Sequence, residues 1–126
     1  MNLATVPLLV IATHAAVEQP PDPAIDFRTD VLPILQTFCH QCHYGLRTKG
    51  RLGLDSREAM LKGGRSGPAI IPGDPDGSLL IQRVTTRDPQ DMMPPKDGPL
   101  WKVEIDILRE WIRQGAPWPE DPDDQR

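Results

Sequence analysis

The sequence predicts a small all-α fold, and three observations predict it. Apolar residues recur at helical spacing in four short segments, no two runs alternate apolar and polar residues in the manner of paired strands, and 15 Pro and 10 Gly break the chain into loops between them. In the first segment Asp30 can cap a helix whose Val31, Leu32, Ile34, Leu35 and Phe38 supply an apolar face. Pro33 is tolerable in its first turn, where no intrahelical N–H bond is lost. Asp55, with Glu58 three residues on, has the capping-box pattern for a second helix through Lys62, stopped by Gly63-Gly64. Ser78 is placed to cap a third, ending at about Thr85. The fourth has Ile105, Leu108, Trp111 and Ile112 on one face, with Gly115 and Pro117 beyond its end. Met60 and Trp111 read as core residues of the second and fourth helices. Trp101 and Trp118 either close helix ends or touch a bound group. Stretches 45–53, 63–77 and 86–99 are loops, and no internal repeat is evident.

Length and composition fit a single globular domain. Six aromatic residues supply few large side chains for a core, so a buried prosthetic group would help fill it. The net charge is −4, with Glu120, Asp121, Asp123 and Asp124 crowded near the end, which argues against a nucleic-acid partner and reads as a solvated acidic tail. The first seventeen residues carry no charged side chain, and the run from Leu3 to Val17 is mostly apolar. It falls short of the roughly twenty apolar residues that span a bilayer, so no stable membrane span is predicted. It reads instead as a secretory leader, cleaved after Ala15 or Ala16, although no Lys or Arg precedes it. The chain accordingly divides into a leader (1–17), a Pro-rich linker (18–24), a folded domain (25–119) and an acidic tail (120–126), and the expected location is periplasmic or otherwise extracytoplasmic.

The run Cys39-His40-Gln41-Cys42-His43 carries the chemistry. Two thiols three residues apart can each add to one of the two vinyl groups on a haem edge, and the imidazole that follows then lies beneath the iron. Random placement of two Cys and three His gives this pattern roughly a few times in ten thousand. One covalent haem c is therefore implied, held by Cys39 and Cys42 and ligated by His43. A six-coordinate iron needs a second donor from the opposite side. His14 lies in the leader, and His40 is tethered between the two cysteines on the proximal side, so methionine remains. Met60 belongs to a helix, whereas Met92 and Met93 stand in a loop before Pro94-Pro95, whose prolines hold the chain extended. Arg51 and Arg65 are candidates to pair with haem propionates, since a fork of donors suits carboxylates; simple solvation is the alternative for each. Gly63-Gly64-Arg65-Ser66-Gly67 lacks the Gly-Lys-Ser/Thr ending of a phosphate loop and reads as a loop packed near the haem edge.

Further residues extend the pattern. Asp26-Phe27, Val31-Leu32-Pro33-Ile34-Leu35, the Cys39–His43 run, Leu54-Asp55-Ser56-Arg57, Gly63 to Pro68, Pro72-Gly73-Asp74-Pro75, Ser78-Leu79-Leu80, Met93-Pro94-Pro95 and Trp111 to Trp118 together resemble the planctomycete-type cytochrome c domain over about residues 25 to 119. The resemblance implies a class I-like all-α monohaem fold in which the first and last helices cross. It implies His43 and a downstream Met as axial ligands, and its pattern places that ligand immediately before Pro-Pro, which favours Met93 and leaves Met92 the runner-up. With both axial positions filled, the reading is an electron carrier rather than an enzyme, serving redox protein partners. Two alternatives stand beside it. One is a haem-based sensor or peroxidase-like protein with a labile distal Met; the other is a haem-free protein using Cys39 and Cys42 as a thiol pair or zinc site.

Overall fold

Asp26 rather than Asp30 starts the first helical segment in the computed structural model of the chain, which describes residues 2–16, 23–96 and 98–119. Its carboxylate accepts the Thr29 N–H at 2.8 Å and opens a π-helical turn (Phe27–Val31) that runs directly into α1 (Leu32–Phe38). Asp30 lies inside that turn, where its carboxylate accepts the Asp26 N–H at 2.8 Å. Packing explains the earlier start. Phe27 and Val31 are buried together with Ile34 and Leu35, so the apolar face extends one turn N-terminal of the expected cap.

The chain beyond α1 corrects the all-α expectation. β1 (His43–Tyr44) pairs antiparallel with β2 (Arg47–Thr48), His43 opposite Thr48 and Tyr44 opposite Arg47. The regular structure is thus mainly helical with one small hairpin. Two-residue strands are too short to show alternation, and the hairpin rests on Gly45, whose φ of 59° fits the tight turn. A 3₁₀ turn (Lys49–Arg51) follows.

α2 (Arg57–Lys62) is capped by Ser56, whose Oγ accepts the Ala59 N–H at 3.0 Å, and not by Asp55. It ends at Gly63 as expected. There φ is 72°, and a Cβ would lie 2.0 Å from the Gly67 carbonyl oxygen, so no other residue fits. α3 (Leu79–Thr85) follows Ser78, but the buried Ser78 hydroxyl does not cap it. That hydroxyl accepts the Ile71 N–H and donates to the Asp74 carbonyl, both at 2.8 Å, and so fastens the preceding loop. α4 (Lys102–Arg113) begins where the Glu104 carboxylate accepts the Trp101 N–H at 2.7 Å, and Gly115 lies just past its end with φ of 97°.

The core gathers Val31 and Leu35, Met60, Ile81 and Val84, and Leu108, Trp111 and Ile112, one group from each helical segment in turn. The π turn packs on α4, as does α3. Phe27 is the pivot: its ring centroid lies 5.9 Å from that of Trp111 and 3.9 Å from that of Trp118. The Trp111 indole N–H donates to the Pro117 carbonyl at 2.8 Å, which folds the C-terminal segment back over the helix. Trp118 therefore joins this aromatic cluster, whereas Trp101 is 75% exposed. Trp111→Ala is expected to cost about 3–5 kcal/mol in urea unfolding, because it opens a large cavity and frees the Pro117 carbonyl; a loss under about 1 kcal/mol would contradict this packing.

Residues 2–16 of the expected leader carry no helix or strand, and Leu3, Leu8 and Leu9 are exposed. Most of the Pro-rich linker, at 18–22, and the acidic tail, at 120–126, lie outside the described residues. Among the described residues no helix is long and apolar enough to cross a membrane.

Candidate functional site

The last turn of α1 delivers the Cys39–His43 run into a tight coil. Cys39 N–H and His40 N–H both donate to the Leu35 carbonyl at 2.9 Å, and Cys42 N–H and His43 N–H donate to the Cys39 carbonyl at 3.2 and 3.1 Å. The two cysteines, both half-buried, are free thiols. Burial pushes the Cys39 thiol up to about 12, with the neighbouring Cys42 thiolate adding to the effect, so Cys39 is a neutral thiol across the physiological range.

His43 is held from two sides by one short extended stretch. Its ring Nδ1 lies 3.0 Å from the Leu52 carbonyl oxygen, and its own carbonyl accepts the Leu54 N–H at 2.7 Å. A carbonyl can only accept, so this bond places a proton on Nδ1, and in the neutral ring the lone pair then lies on Nε2. That is the tautomer a metal-binding imidazole needs, with the ring orientation fixed by a backbone acceptor. The 3₁₀ turn is fastened to the same coil by Lys49 N–H, which donates to the Cys42 carbonyl at 3.0 Å. His40 faces elsewhere: its Nε2 approaches the Leu54 carbonyl at 3.4 Å, and its ring lies 4.7 Å from that of Tyr44. Burial pulls its pKa below the ordinary histidine value, against the opposing effects of the Leu54 carbonyl and Asp55.

Met60, Met92 and Met93 occupy three environments. Met60 is wholly buried in α2, as expected. Met92 is half-buried, and Met93 is 37% exposed. Their loop is pinned to α3: Met93 N–H donates to the Arg83 carbonyl at 2.9 Å, and the Arg83 guanidinium pairs with Asp91 at 2.6 Å. The Met93–Pro94 peptide is cis. Arg51 and Arg65 are both exposed and are brought together by backbone contact. Arg65 N–H donates to the Gly50 carbonyl at 2.8 Å, and a Cβ on Gly64 would sit 2.4 Å from that same oxygen. The Gly-rich loop thus packs on the turn that leaves the Cys39–His43 coil.

Residues 39–97 match the Planctomycete cytochrome C family model. This segment is a planctomycete-type cytochrome c domain. The match begins at the first cysteine of the coil and runs past Pro94-Pro95, so it takes in both thiols, His43, Arg51, Arg65, Met92 and Met93. It gives the site its chemical class, haem binding for electron transfer. No curated protein and no solved structure matches the chain.

Three contacts around the cytochrome c domain's site are not announced by the sequence, although Leu54 and Arg57 belong to a run that carries the family resemblance. The carbonyls of Leu52 and Leu54, which orient His43 and receive His40, belong to backbone that any residue could supply. Arg57 donates from Nε to the Ala116 carbonyl at 3.0 Å and from Nη2 to the Gly115 carbonyl at 3.1 Å. It thereby ties the start of α2, a few residues beyond the His43 clamp, to the end of α4.

Proposed function

We propose that the protein is an exported electron carrier with one covalent haem c. The observation that carries this reading is the Nδ1 contact of His43 with the Leu52 carbonyl inside the Cys39–His43 coil: both thiols are free and the adjacent imidazole presents Nε2. The residues fit the group. The Cys39 and Cys42 thiols would add S–H across its two vinyl groups, forming two C–S bonds and releasing nothing. His43 Nε2 would bind the iron on one side and the Met93 thioether on the other, with Met92 as the second choice, and Arg51 and Arg65 would meet the propionates. Haem with two strong axial ligands supplies one-electron exchange with little movement and offers a substrate no open position.

The chain's own contribution is to hold and tune. The Leu52 carbonyl fixes the His43 ring through its Nδ1 proton, while the soft Met93 sulfur would favour the reduced state, so a positive midpoint potential is expected. The apolar leader would direct the domain out of the cytoplasm, where c-type attachment takes place.

An alkaline pyridine spectrum of the exported protein tests the reading. A c-type spectrum, with colour that survives acid-acetone extraction, is expected; extractable haem, or none, would remove the assignment. The sensor or peroxidase alternative separates on a second measurement. The reduced protein should not bind carbon monoxide at neutral pH if the Met ligand is tight, and ready binding would favour a labile Met.

A further inference from the structure

The stretch from Arg47 to Arg65 is basic in an acidic protein. It holds Arg47, Lys49, Arg51, Arg57, Lys62 and Arg65 against Asp55 and Glu58, a local charge of +4 where the whole chain carries −4, so the remainder carries −8. Arg57 is committed to the Gly115 and Ala116 carbonyls. The other five basic side chains are exposed, and none makes an ion pair among the described residues, whereas Arg83, Lys102, Arg109 and Arg113 all do. The fold concentrates this charge. Lys49 N–H is bonded to the Cys42 carbonyl and Arg65 N–H to the Gly50 carbonyl, so hairpin, turn and Gly-rich loop form one strip against the Cys39–His43 coil. At the hairpin tip Leu46 is wholly exposed, an apolar contact amid the charge.

We infer that this strip is the docking surface for a redox protein whose own exchange face is acidic. The inference rests on the electron-carrier reading and names the chemistry of its partner. Solvent-exposed like charges left unpaired side by side repel one another, and a complementary surface relieves that repulsion while setting the approach beside the thioether coil. The opposite signs of strip and remainder also orient the molecule in the field of an acidic partner. A protein with a confined acidic patch suits this distribution better than an anionic lipid surface does. An extended sheet of negative charge would feel the −8 of the remainder, whereas a patch a few residues wide meets the strip alone within a Debye length.

The test measures binding of the oxidised holoprotein to immobilised, oxidised plant-type ferredoxin, an acidic redox protein, so that no electron transfer contributes. Affinity is expected to weaken about tenfold between about 20 and 200 mM ionic strength. Arg47→Glu with Lys49→Glu should abolish binding, and Arg47→Gln with Lys49→Gln should weaken it by about tenfold, with haem content and thermal unfolding unchanged in the neutral pair. Lys102→Glu, which changes the net charge by the same amount as one strip reversal, should leave affinity within about twofold. Binding indifferent to salt or to the strip variants, no binding at 20 mM, or binding to anionic vesicles in preference to ferredoxin would overturn the proposal. The pyridine spectrum of the same samples keeps the two readings apart. A c-type spectrum with no strip-dependent binding removes only the docking surface; strip-dependent binding without haem c removes the carrier reading.

Discussion

Replacing Cys39 and Cys42 together by alanine should leave no haem colour in the protein after acid-acetone extraction, and replacing either one alone should leave a single thioether. The measured quantity is the pyridine spectrum, which shifts as the number of saturated vinyl groups falls from two to one to none. The effect is expected to be stepwise because, in the proposed site, each attachment would be a covalent bond that no neighbouring side chain can replace: these are the only two cysteines in the chain. The single variants need not be equivalent. The Cys39 thiol is pushed up to about 12 by burial and stands at the end of α1, whereas Cys42 lies three residues on in the coil, where its backbone carbonyl accepts the Lys49 N–H. Colour that survives the extraction in the double variant would show that attachment lies elsewhere, whereas colour lost only on extraction would show that the coil still holds haem by ligation.

Met93→Ala is expected to lower the midpoint potential by a sizeable part of the roughly 0.8 V range that axial ligands govern, and to admit carbon monoxide to the reduced protein. Met92→Ala should change neither. The contrast depends on one residue of register. Met93 N–H is bonded to the Arg83 carbonyl and Met92 N–H to the Asp88 carbonyl, so the two consecutive side chains leave a backbone that is pinned at both positions. A fall in potential in Met92→Ala with none in Met93→Ala would exchange their roles. If neither variant moves the potential, ligation by a methionine of this loop is wrong, and the second donor comes from elsewhere. Loss of fold is not expected to cloud the result, because neither side chain belongs to the buried core.

The helices were legible where a buried stripe dictates them. Leu108, Trp111 and Ile112 in α4 and Ile34 and Leu35 in α1 recur at helical spacing and are buried, and Met60 sits in the core as its helix position suggested. Caps were less legible. Asp30, Asp55 and Ser78 each stand near a helix start with the right side chain, yet Asp26 and Ser56 do the capping and Ser78 bonds a loop instead. Several short polar residues lie within reach of each start, and burial of the apolar face chooses among them by setting where the helix begins. The hairpin at His43–Thr48 leaves no mark in the sequence because two-residue strands have no period.

By itself the sequence determined the chemistry. The spacing of Cys39, Cys42 and His43 carries the proposed haem attachment through covalent reach alone, which is local along the chain and survives any detail of packing. What only the tertiary structure decided is how that coil is held and what surrounds it. The Leu52 carbonyl that sets the His43 tautomer, the Arg57 bridge to Gly115 and Ala116, and the gathering of Arg47, Lys49, Arg51 and Arg65 on one strip all depend on backbone groups meeting across turns. Every residue offers the same carbonyl and N–H, so identity cannot announce such contacts; they exist once the packing of the π turn, α3 and α4 has closed the loops upon one another.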